Sequence, residues 1–324
     1  MPDVICLGEV IVDLIAMDKD VGLAGTKGFY KFPGGATANV AVGVSRMGAK
    51  GGFMGVVSDD AFGDYLKNSM DAENVDVSQI RLRKGERTVV GFIAVRSDHA
   101  KDVIFYKDHD SEMFLSAEEL NPEFFAASSI FHFGIICLRT EHKRRTTLRA
   151  LEIAGDKGLS VSFDVNYRSH AWPSQEMAQE RFHEVLDYVD ILKIAEEEWP
   201  LLFGEEENPE SAQKIINRGV KALVISRGEN GSTIVTPDFR ENVPAFSIEA
   251  IETTGAGDAF TACMLSGLAK ILRSDRKIED IEKPEWLEII KRSNAAGAIA
   301  CLKHGAMPAI PDTKALNDFL ELNG

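Results

Sequence analysis

The sequence predicts an α/β fold in which a mostly parallel central sheet is covered by helices on both faces, a three-layer α/β/α arrangement. Short apolar runs of strand length alternate with amphipathic stretches of helix length along most of the chain. This alternation is typical of parallel sheets that lie between helical layers. A chain of 324 residues with 44% hydrophobic residues can bury a large core, and its length allows one large domain or two.

The predicted elements follow in chain order. Strands are expected at residues 4–7, 53–57, 129–138, 159–165, 191–194 and 222–226. Helices are expected at residues 36–47 and 141–157, directly after residue 208, and twice near the C-terminus. Asn208 before Pro209 marks a helix start, because Asn is a favoured cap and Pro suits the first helical position.

Three further strand-like stretches break this alternation, at residues 10–16, 88–95 and 103–107. We expect them to form a small separate sheet. An antiparallel extension of the main sheet is the alternative.

The composition disfavours several classes of partner. Lys and Arg number 36 against 51 Asp and Glu, a formal charge of -15, which disfavours nucleic acid and anionic membranes as partners. No apolar run approaches the ~20 residues of a membrane helix, and no basic start precedes an apolar core, so we expect a cytoplasmic protein. The four Cys are scattered without CxxC pairing, which predicts free thiols, and the seven His show no metal-ligand spacing.

A loop of small residues precedes a predicted helix near the C-terminus. Gly255, Ala256 and Gly257 allow the backbone to approach a ligand closely, and the apolar residues after them recur at helical spacing. The first amides of a helix stabilise an anion such as phosphate. Asp258 beside this site predicts a proton acceptor for an attacking hydroxyl, with helix capping as the alternative.

The N-terminal part of the chain carries polar residues that suit a ligand with hydroxyl groups. Asp13 lies in an apolar stretch where its carboxylate needs hydrogen-bond donors, and hydroxyl groups are such donors. Gly34 and Gly35 permit close approach of the backbone to a ligand. Asn39 can both donate and accept, although bonding to its own helix start is the alternative.

These stretches resemble the signatures of the PfkB, or ribokinase-like, carbohydrate kinases. Residues 251–260 are similar to the C-terminal DTTGAGD signature, residues 32–41 to the N-terminal signature, and residues 8–13 to the opening strand with its sugar-binding Asp. The resemblance implies a single ribokinase-like kinase domain that spans the whole chain, residues 1–324. It also implies a small β-sheet lid over the sugar, and such lids pair in many members to make a homodimer. The expected lid strands come from about residues 10–32 and 86–112.

The resemblance also implies binding sites for ATP and a metal. The loop at residues 226–231 is similar to the family's phosphate and ribose loop, and an Asn-Gly hairpin turn is its alternative. The implied ATP-binding residues are Lys193, Ser226, Gly228, Gly231, Gly257, Asn294 and Ala298, with close helix packing as the alternative around Asn294. Glu198 falls on the family's magnesium motif, with Ala195 where Asn is usual, and implies indirect contact with hydrated Mg²⁺. Glu252 replaces the usual Asp beside which some relatives bind a monovalent cation. Because its side chain is longer, the resemblance leaves open whether this chain binds such a cation.

Other stretches resemble the fructokinases of this family, at residues 105–107, 132–134, 163–168 and 172–174. Asn166 and Arg168 follow a strand end, where ligands of open parallel sheets bind. The implied sugar ligands are Asp13, Gly34, Gly35, Asn39, Tyr106, Lys107, Asn166, Arg168 and Asp258. Plain strand packing is the alternative for the Phe residues of these stretches.

The implied activity is transfer of the γ-phosphoryl group of ATP to the primary hydroxyl of fructose, which gives fructose 6-phosphate. Asp258 accepts the hydroxyl proton, while the amides of Gly255, Ala256 and Gly257 stabilise the phosphoryl oxygens. The alternatives are a 2-keto-3-deoxygluconate kinase, another sugar or nucleoside kinase, and a non-catalytic sugar or nucleotide sensor.

Overall fold

The structure is a computed structural model that describes residues 1–96, 101–106, 113–126, 128–274 and 276–323. The strands within these ranges are β1 Val4–Leu7, β2 Ile11–Ala16, β3 Phe29–Gly34, β4 Gly51–Ser58, β5 Asp76–Arg83, β6 Val90–Val95, β7 Lys101–Tyr106, β8 Ile130–Gly134, β9 Ser160–Asp164, β10 Ile191–Ala195, β11 Ala222–Ser226, β12 Ser232–Val235 and β13 Arg240–Val243. The helices there are α1 Gly22–Gly25, α2 Ala36–Arg46, α3 Ala61–Asp71, α4 Pro122–Phe125, α5 Glu141–Asp156, α6 Gln175–Val185, α7 Trp199–Phe203, α8 Pro209–Asn217, α9 Ala256–Leu272, α10 Lys283–Ala300 and α11 Thr313–Asn323.

The larger sheet has the strand order β13-β12-β11-β10-β9-β8-β1-β4-β5. Its neighbouring strands are parallel except for the pairs β11 with β12 and β12 with β13. The predicted α/β fold with a mostly parallel central sheet is therefore confirmed. The strand expected at residues 129–138 is too long, because the chain leaves the sheet after Gly134 and Ile135–Leu138 forms a 3-10 turn. A short apolar run does not distinguish a buried strand from a buried turn.

Alternation along the strands divides the core into two layers. In β1, Ile5 and Leu7 belong to the cluster that contains α5 to α8, whereas Val4 and Cys6 belong to the cluster that contains α2, α3, α9 and α10. These strand residues are fully buried on both faces, which is why the strands are continuous apolar runs in the sequence. No helix within the described ranges has both the length and the apolar surface that a membrane crossing needs.

The smaller sheet has the order β3-β2-β6-β7. Its strands are separate from the main sheet, so the predicted small sheet is confirmed and the alternative of an extension is wrong. β2 runs antiparallel to β3 and parallel to β6, which pairs Asp13 with Phe32 on one side and with Gly91 on the other. β3 overlaps the range of about residues 10–32 from which lid strands were expected, but Lys31 and Pro33 interrupt its apolar pattern, so the sequence did not show it as a separate strand. Lys107 lies outside the described residues.

Asp60 ties the smaller sheet to the main one. Its carboxylate caps α3 by accepting from the amides of Phe62 and Gly63, at 3.0 and 2.9 Å. It also accepts from the amide and the hydroxyl of Thr88, at 2.9 and 2.6 Å, just before β6 begins. Ser58 at the end of β4 hydrogen-bonds the same Thr88 hydroxyl at 2.6 Å. The residue just before β6 of the smaller sheet is therefore fixed to the end of β4 in the larger sheet and to the start of α3.

Candidate active site

A cleft of about 1260 Å³ opens at the carboxyl ends of the parallel strands. Ligands of open α/β sheets bind at this edge. The strands β1, β8, β9, β10 and β11 each line the cleft at or just after their last residue, through Glu9, Gly134, Asn166, Ala195 and Ser226.

Most residues of the predicted site line this cleft: Asp13, Gly35, Asn39, Asn166, Arg168, Lys193, Glu198, Ser226, Gly228, Gly231, Gly255, Ala256, Gly257, Asp258, Asn294 and Ala298. Gly34 lies behind Asp13 instead, where a Cβ atom would be 2.0 Å from Asp13 Oδ2. Gly34 therefore makes room for the Asp13 carboxylate, and its own backbone is not part of the cleft wall.

Tyr106 was expected among the sugar ligands, but it does not line the cleft. Its side chain is 65% exposed and its ring contacts Phe92, away from the cleft. Phe105 lines the cleft, because neighbouring residues of a strand face opposite sides of the sheet. The fructokinase-like stretch at residues 105–107 thus presents Phe105, not Tyr106, to a ligand.

The start of α9 forms one wall of the cleft. Gly255 is the N-cap of this helix and has a φ of 82°, in the left-handed region that favours glycine. A Cβ atom at this position would lie 2.8 Å from the Cα atom of Ala306, so a side chain does not fit there. Ala256 and Gly257 follow in the first helical turn, where amides without helical acceptors and the helix dipole favour an anion.

Asp258 lies in the same first turn and is the carboxylate of the cleft that is closest in sequence to the anion site. Its Oδ2 accepts a hydrogen bond of 2.7 Å from Asn39 Nδ2 on α2. Since Gly255 occupies the N-cap position, the alternative role of Asp258 as a helix cap is not supported. The bond from Asn39 holds one carboxylate oxygen in place.

Asn39 connects two helices rather than bonding to its own helix start. Its Oδ1 is buried and has no hydrogen-bond partner among the described residues. A buried carbonyl oxygen without a partner is costly, so this atom is suited to accept from a ligand hydroxyl. Asn39 therefore lines the cleft and also orients Asp258.

The pKa of Asp258 is raised to about 6, chiefly because burial disfavours the charged carboxylate. The hydrogen bond from Asn39 lowers the pKa, the charge of Asp164 raises it, and the charges of Arg168 and Lys193 lower it. A carboxylate with a pKa near 6 is a stronger base than an ordinary Asp and is still largely ionised at pH 7.

A buried network of charges lies behind the cleft wall. Lys193 Nζ is 3.1 Å from Asp164 Oδ1, and both side chains are buried. Asp164 Oδ2 accepts a hydrogen bond of 2.9 Å from Thr261 Oγ1 on α9. Burial opposes the charge of Lys193, but the carboxylates of Asp164 and Glu198 raise the pKa of its ammonium. Lys193 is therefore a protonated cation beside the start of α9.

Glu198 is held by backbone amides. Its Oε1 accepts from the amide of Tyr167 at 2.5 Å and its Oε2 from the amide of Ala195 at 2.8 Å. Burial raises the pKa of this carboxyl. In the described residues no group of three or more His, Cys, Asp or Glu side chains is arranged around a metal position. Both carboxylate oxygens of Glu198 thus already accept from backbone amides at the edge of the cleft.

The cleft also contains an ion pair that the sequence did not indicate. Glu9 lines the cleft, and its Oε1 accepts from Lys143 Nζ at 2.6 Å. Lys143 has a side-chain exposure of 0%. Its place on the amphipathic helix α5 gave no sign of burial, because lysines on such helices usually face solvent. The nearby Gly35 has a φ of 108°, and a Cβ atom there would lie 2.3 Å from the backbone oxygen of Glu9.

For the loop at residues 226–231, the predicted nucleotide-binding loop and its alternative, a hairpin turn, are compatible. The loop at residues 226–231 joins the antiparallel strands β11 and β12, so it is a hairpin connection, and it also lines the cleft. Asn294 donates to the backbone oxygens of Val243 and Pro244, both at 3.1 Å, and accepts from Ser232. Its side chain therefore supports the alternative of packing. The segment at residues 245–248 also lines the cleft and was not predicted, because it has no regular pattern.

Glu252 is buried beside the loop that follows α10. Its Oε2 is 3.1 Å from His304 Nδ1 and accepts from the amide of Gly305 at 3.3 Å. Its Oε1 is buried and has no hydrogen-bond partner among the described residues. One oxygen is thus committed to the loop that packs on Gly255, while the other remains available to a small cation.

Comparison with known proteins decides the family. The sequence matches the pfkB family carbohydrate kinase profile over residues 1–313. The chain belongs to this family. A probable fructokinase-2 of Arabidopsis thaliana is 36% identical over 321 residues, which cover 98% of this chain and 96% of the relative.

Solved structures of pfkB-type kinases share the whole fold. A fructokinase from Vibrio cholerae O395, in its fructose, ADP and calcium ion bound form, has a TM-score of 0.85 and 28% identity, with 99% of both chains covered. An aminoimidazole riboside kinase from Salmonella enterica, complexed with aminoimidazole riboside and an ATP analog, has a TM-score of 0.81 and 28% identity, with 98% and 99% covered. The predicted ribokinase-like fold is confirmed, and membership of the family makes this chain a carbohydrate kinase.

Proposed function

We propose that the chain is an ATP-dependent fructokinase that phosphorylates the primary hydroxyl of fructose to give fructose 6-phosphate. The observation that carries the proposal is the buried Asp258 carboxylate, which lies in the cleft at the N-terminus of α9 with its pKa raised to about 6. A base and an anion site occur together there, as phosphoryl transfer to an alcohol requires. The fructokinases among its relatives support the choice of sugar.

The residues divide the work as follows. Asp258 takes the proton of the attacking hydroxyl through the carboxylate oxygen that Asn39 does not hold. The first amides of α9, with the ammonium of Lys193, stabilise the charge on the transferred phosphoryl oxygens. The sugar ligands are Asp13, Gly35, Asn39, Asn166 and Arg168, and the ATP ligands are Lys193, Ser226, Gly228, Gly231, Gly257 and Ala298.

Two cations fit this site to different degrees. Mg²⁺ neutralises triphosphate charge when bound, and Glu198 would hold its water ligands rather than the ion itself, because both carboxylate oxygens already accept backbone amides. A monovalent cation has the buried Oε1 of Glu252 as a ligand candidate, although the other oxygen is occupied by Gly305 and His304.

The substrate is tested by coupled detection of ADP with fructose, glucose, ribose, 2-keto-3-deoxygluconate, fructose phosphates and adenosine. We expect the highest kcat/KM with fructose. A preference for 2-keto-3-deoxygluconate would assign Arg168 to its carboxylate, and a preference for a nucleoside would follow the riboside kinase relative. Absence of ADP with every compound would favour the sensor alternative.

The pH dependence is a prediction of the raised pKa of Asp258. Since the base works in its ionised form, we expect kcat/KM for the sugar to rise with pH through an apparent pKa of about 6 and to level off above it. One pH unit below that value the rate should be roughly tenfold below the plateau. A pH profile at constant ionic strength measures this, with far-UV circular dichroism at each pH as the control. A profile that is flat from about pH 5 to 8 would exclude Asp258 as the titrating base.

The smaller sheet is proposed as a lid that pairs with a second copy of the chain. On its face away from the cleft, Phe92 contacts the rings of Phe29 and Tyr106 and pairs in register with Ile104. Ile104 is 52% and Tyr106 65% exposed, so an apolar surface is left uncovered.

Sedimentation velocity should show a dimer for the unmodified protein and a monomer for Ile104→Asp. The same change at the exposed Leu82 on β5 is the control, and a monomeric unmodified protein would exclude the pairing.

A further inference from the structure

We infer that Asp164 is a positioning residue that holds the Lys193 ammonium against the start of α9, and so prepares the binding place of the triphosphate. The inference rests on the proposed function, because it assigns the ligand of this wall as a nucleoside triphosphate. Asp164 itself is 4% exposed and is not among the residues that line the cleft. It therefore acts through other residues rather than by touching the substrate.

Three elements of the fold meet at the Asp164 carboxylate. Asp164 is the last residue of β9, Lys193 lies on the neighbouring strand β10, and Thr261 lies in the second turn of α9. One oxygen of Asp164 faces the Lys193 ammonium at 3.1 Å, while the other accepts from the Thr261 hydroxyl at 2.9 Å. The same carboxylate thus fixes a cation and the helix whose first turn carries Asp258.

The Lys193 ammonium lies close to the start of α9. Lys193 lines the cleft, and a Cβ atom on Gly257 would lie 3.3 Å from its Nζ. The N-terminus of a helix is itself a region of positive potential, so a second positive charge is not stable there without a nearby anion. Asp164 supplies that anion before a nucleotide binds. An arriving phosphate then meets a cation and helix amides that are already in position.

Other charged and titratable groups surround the pair of Asp164 and Lys193. His132 lies on β8, and burial lowers the pKa of its ring to about 4, so it is neutral at pH 7. Glu198 and Asp258 are carboxylates, which attract Lys193 but repel Asp164. In this part of the chain the Lys193 ammonium is the charge that the Asp164 carboxylate contacts directly.

The test compares Asp164→Asn with two neighbours. Asn keeps the size of the side chain and an acceptor for Thr261 but removes the charge that holds Lys193. We expect the Kd for ATP, measured by calorimetry without sugar, and the KM for ATP to rise roughly tenfold or more. The KM for the sugar should change less than about twofold, because Asp164 contacts Lys193 and Thr261, and neither is a proposed sugar ligand. The acid limb of kcat/KM should also move to lower pH, because the charge of Asp164 raises the pKa of Asp258.

Matched variants separate positioning from ordinary core packing. Ser162→Ala removes a buried polar group on the same strand, with its hydrogen bond to His132, and should leave ATP binding unchanged. Thr261→Val removes the bond to α9 but keeps the ion pair, so it should weaken ATP binding less than Asp164→Asn does. If Asp164→Asn lowers Tm yet binds ATP as tightly as the unmodified protein, Asp164 is only a core residue and the inference is wrong. An unmodified protein that binds ATP but phosphorylates no sugar would instead contradict the proposed function alone.

Discussion

Replacing Asp258 by Asn is expected to reduce kcat by ~100-fold or more while the fold and the binding of ATP stay intact. The amide keeps the size of the side chain and can still accept the hydrogen bond from Asn39, but it does not take a proton from the sugar hydroxyl. The loss should therefore appear in kcat rather than in the KM for either substrate. Steady-state kinetics with the best sugar of the panel measure it.

The control for this variant is the same change at Asp238, in the exposed turn between β12 and β13. Asp238→Asn should keep full activity. Calorimetry with ADP and a thermal unfolding curve should give values close to those of the unmodified protein for both variants. Near-normal turnover of Asp258→Asn would remove this carboxylate from the mechanism and leave the cleft without its proposed proton acceptor.

Replacing Lys143 by Met is expected to lower the free energy of unfolding by about 3–5 kcal/mol, the range found when one partner of a buried ion pair is removed. Lys143 is fully buried and its ammonium is 2.6 Å from Glu9 Oε1. The variant removes the Lys143 cation from the buried Glu9 carboxylate, and the loss of a close opposite charge is costly in a medium of low polarity. Urea unfolding followed by circular dichroism measures the change.

Two companion variants show whether the effect comes from the charge. Lys314→Met removes an exposed i,i+4 pair with Asp318 and should change the free energy of unfolding far less than Lys143→Met does, because water screens the exposed charges. The double variant Glu9→Gln with Lys143→Met removes both charges and should recover most of the lost stability. Equal small losses in Lys143→Met and Lys314→Met would mean that the buried pair contributes no more than a surface pair.

The fold class could be predicted from the sequence, because strands buried in a central sheet have a recognisable apolar pattern. Strands covered on both faces are apolar at most positions. β1 is apolar throughout, and β10 is apolar except for the buried Lys193. Strand ends were less certain. The apolar run at residues 129–138 continues past Gly134 into a turn whose burial equals that of a strand.

The site was predictable where close approach to a ligand requires small residues, as at Gly255 and Gly35. Contacts between side chains far apart in sequence were not predictable. The bond from Asn39 to Asp258 spans 219 residues, and the pair of Glu9 with Lys143 spans 134. Each partner alone is an ordinary polar residue, and only the packed helices and strands bring the pairs together.

The choice of Tyr106 over Phe105 failed for a related reason. A strand of six residues shows two faces, and its sequence does not say which face meets the cleft. The pairing of the strands shows which face of β7 meets the cleft. Phe105 pairs with Gly91 on β6, and Gly91 pairs with the cleft residue Asp13 on β2.

The bond between Asn39 and Asp258 limits how the sugar preference of this enzyme can be redesigned. Under the proposed mechanism, any replacement of Asn39 meant to admit a new sugar would also release the proposed base Asp258, so selectivity and rate would change together. Phe105 lines the same cleft from β7 of the smaller sheet, whereas Asn39 lies on α2, which packs against α9. Libraries that aim to alter substrate choice without loss of turnover should therefore vary Phe105 and leave Asn39 untouched.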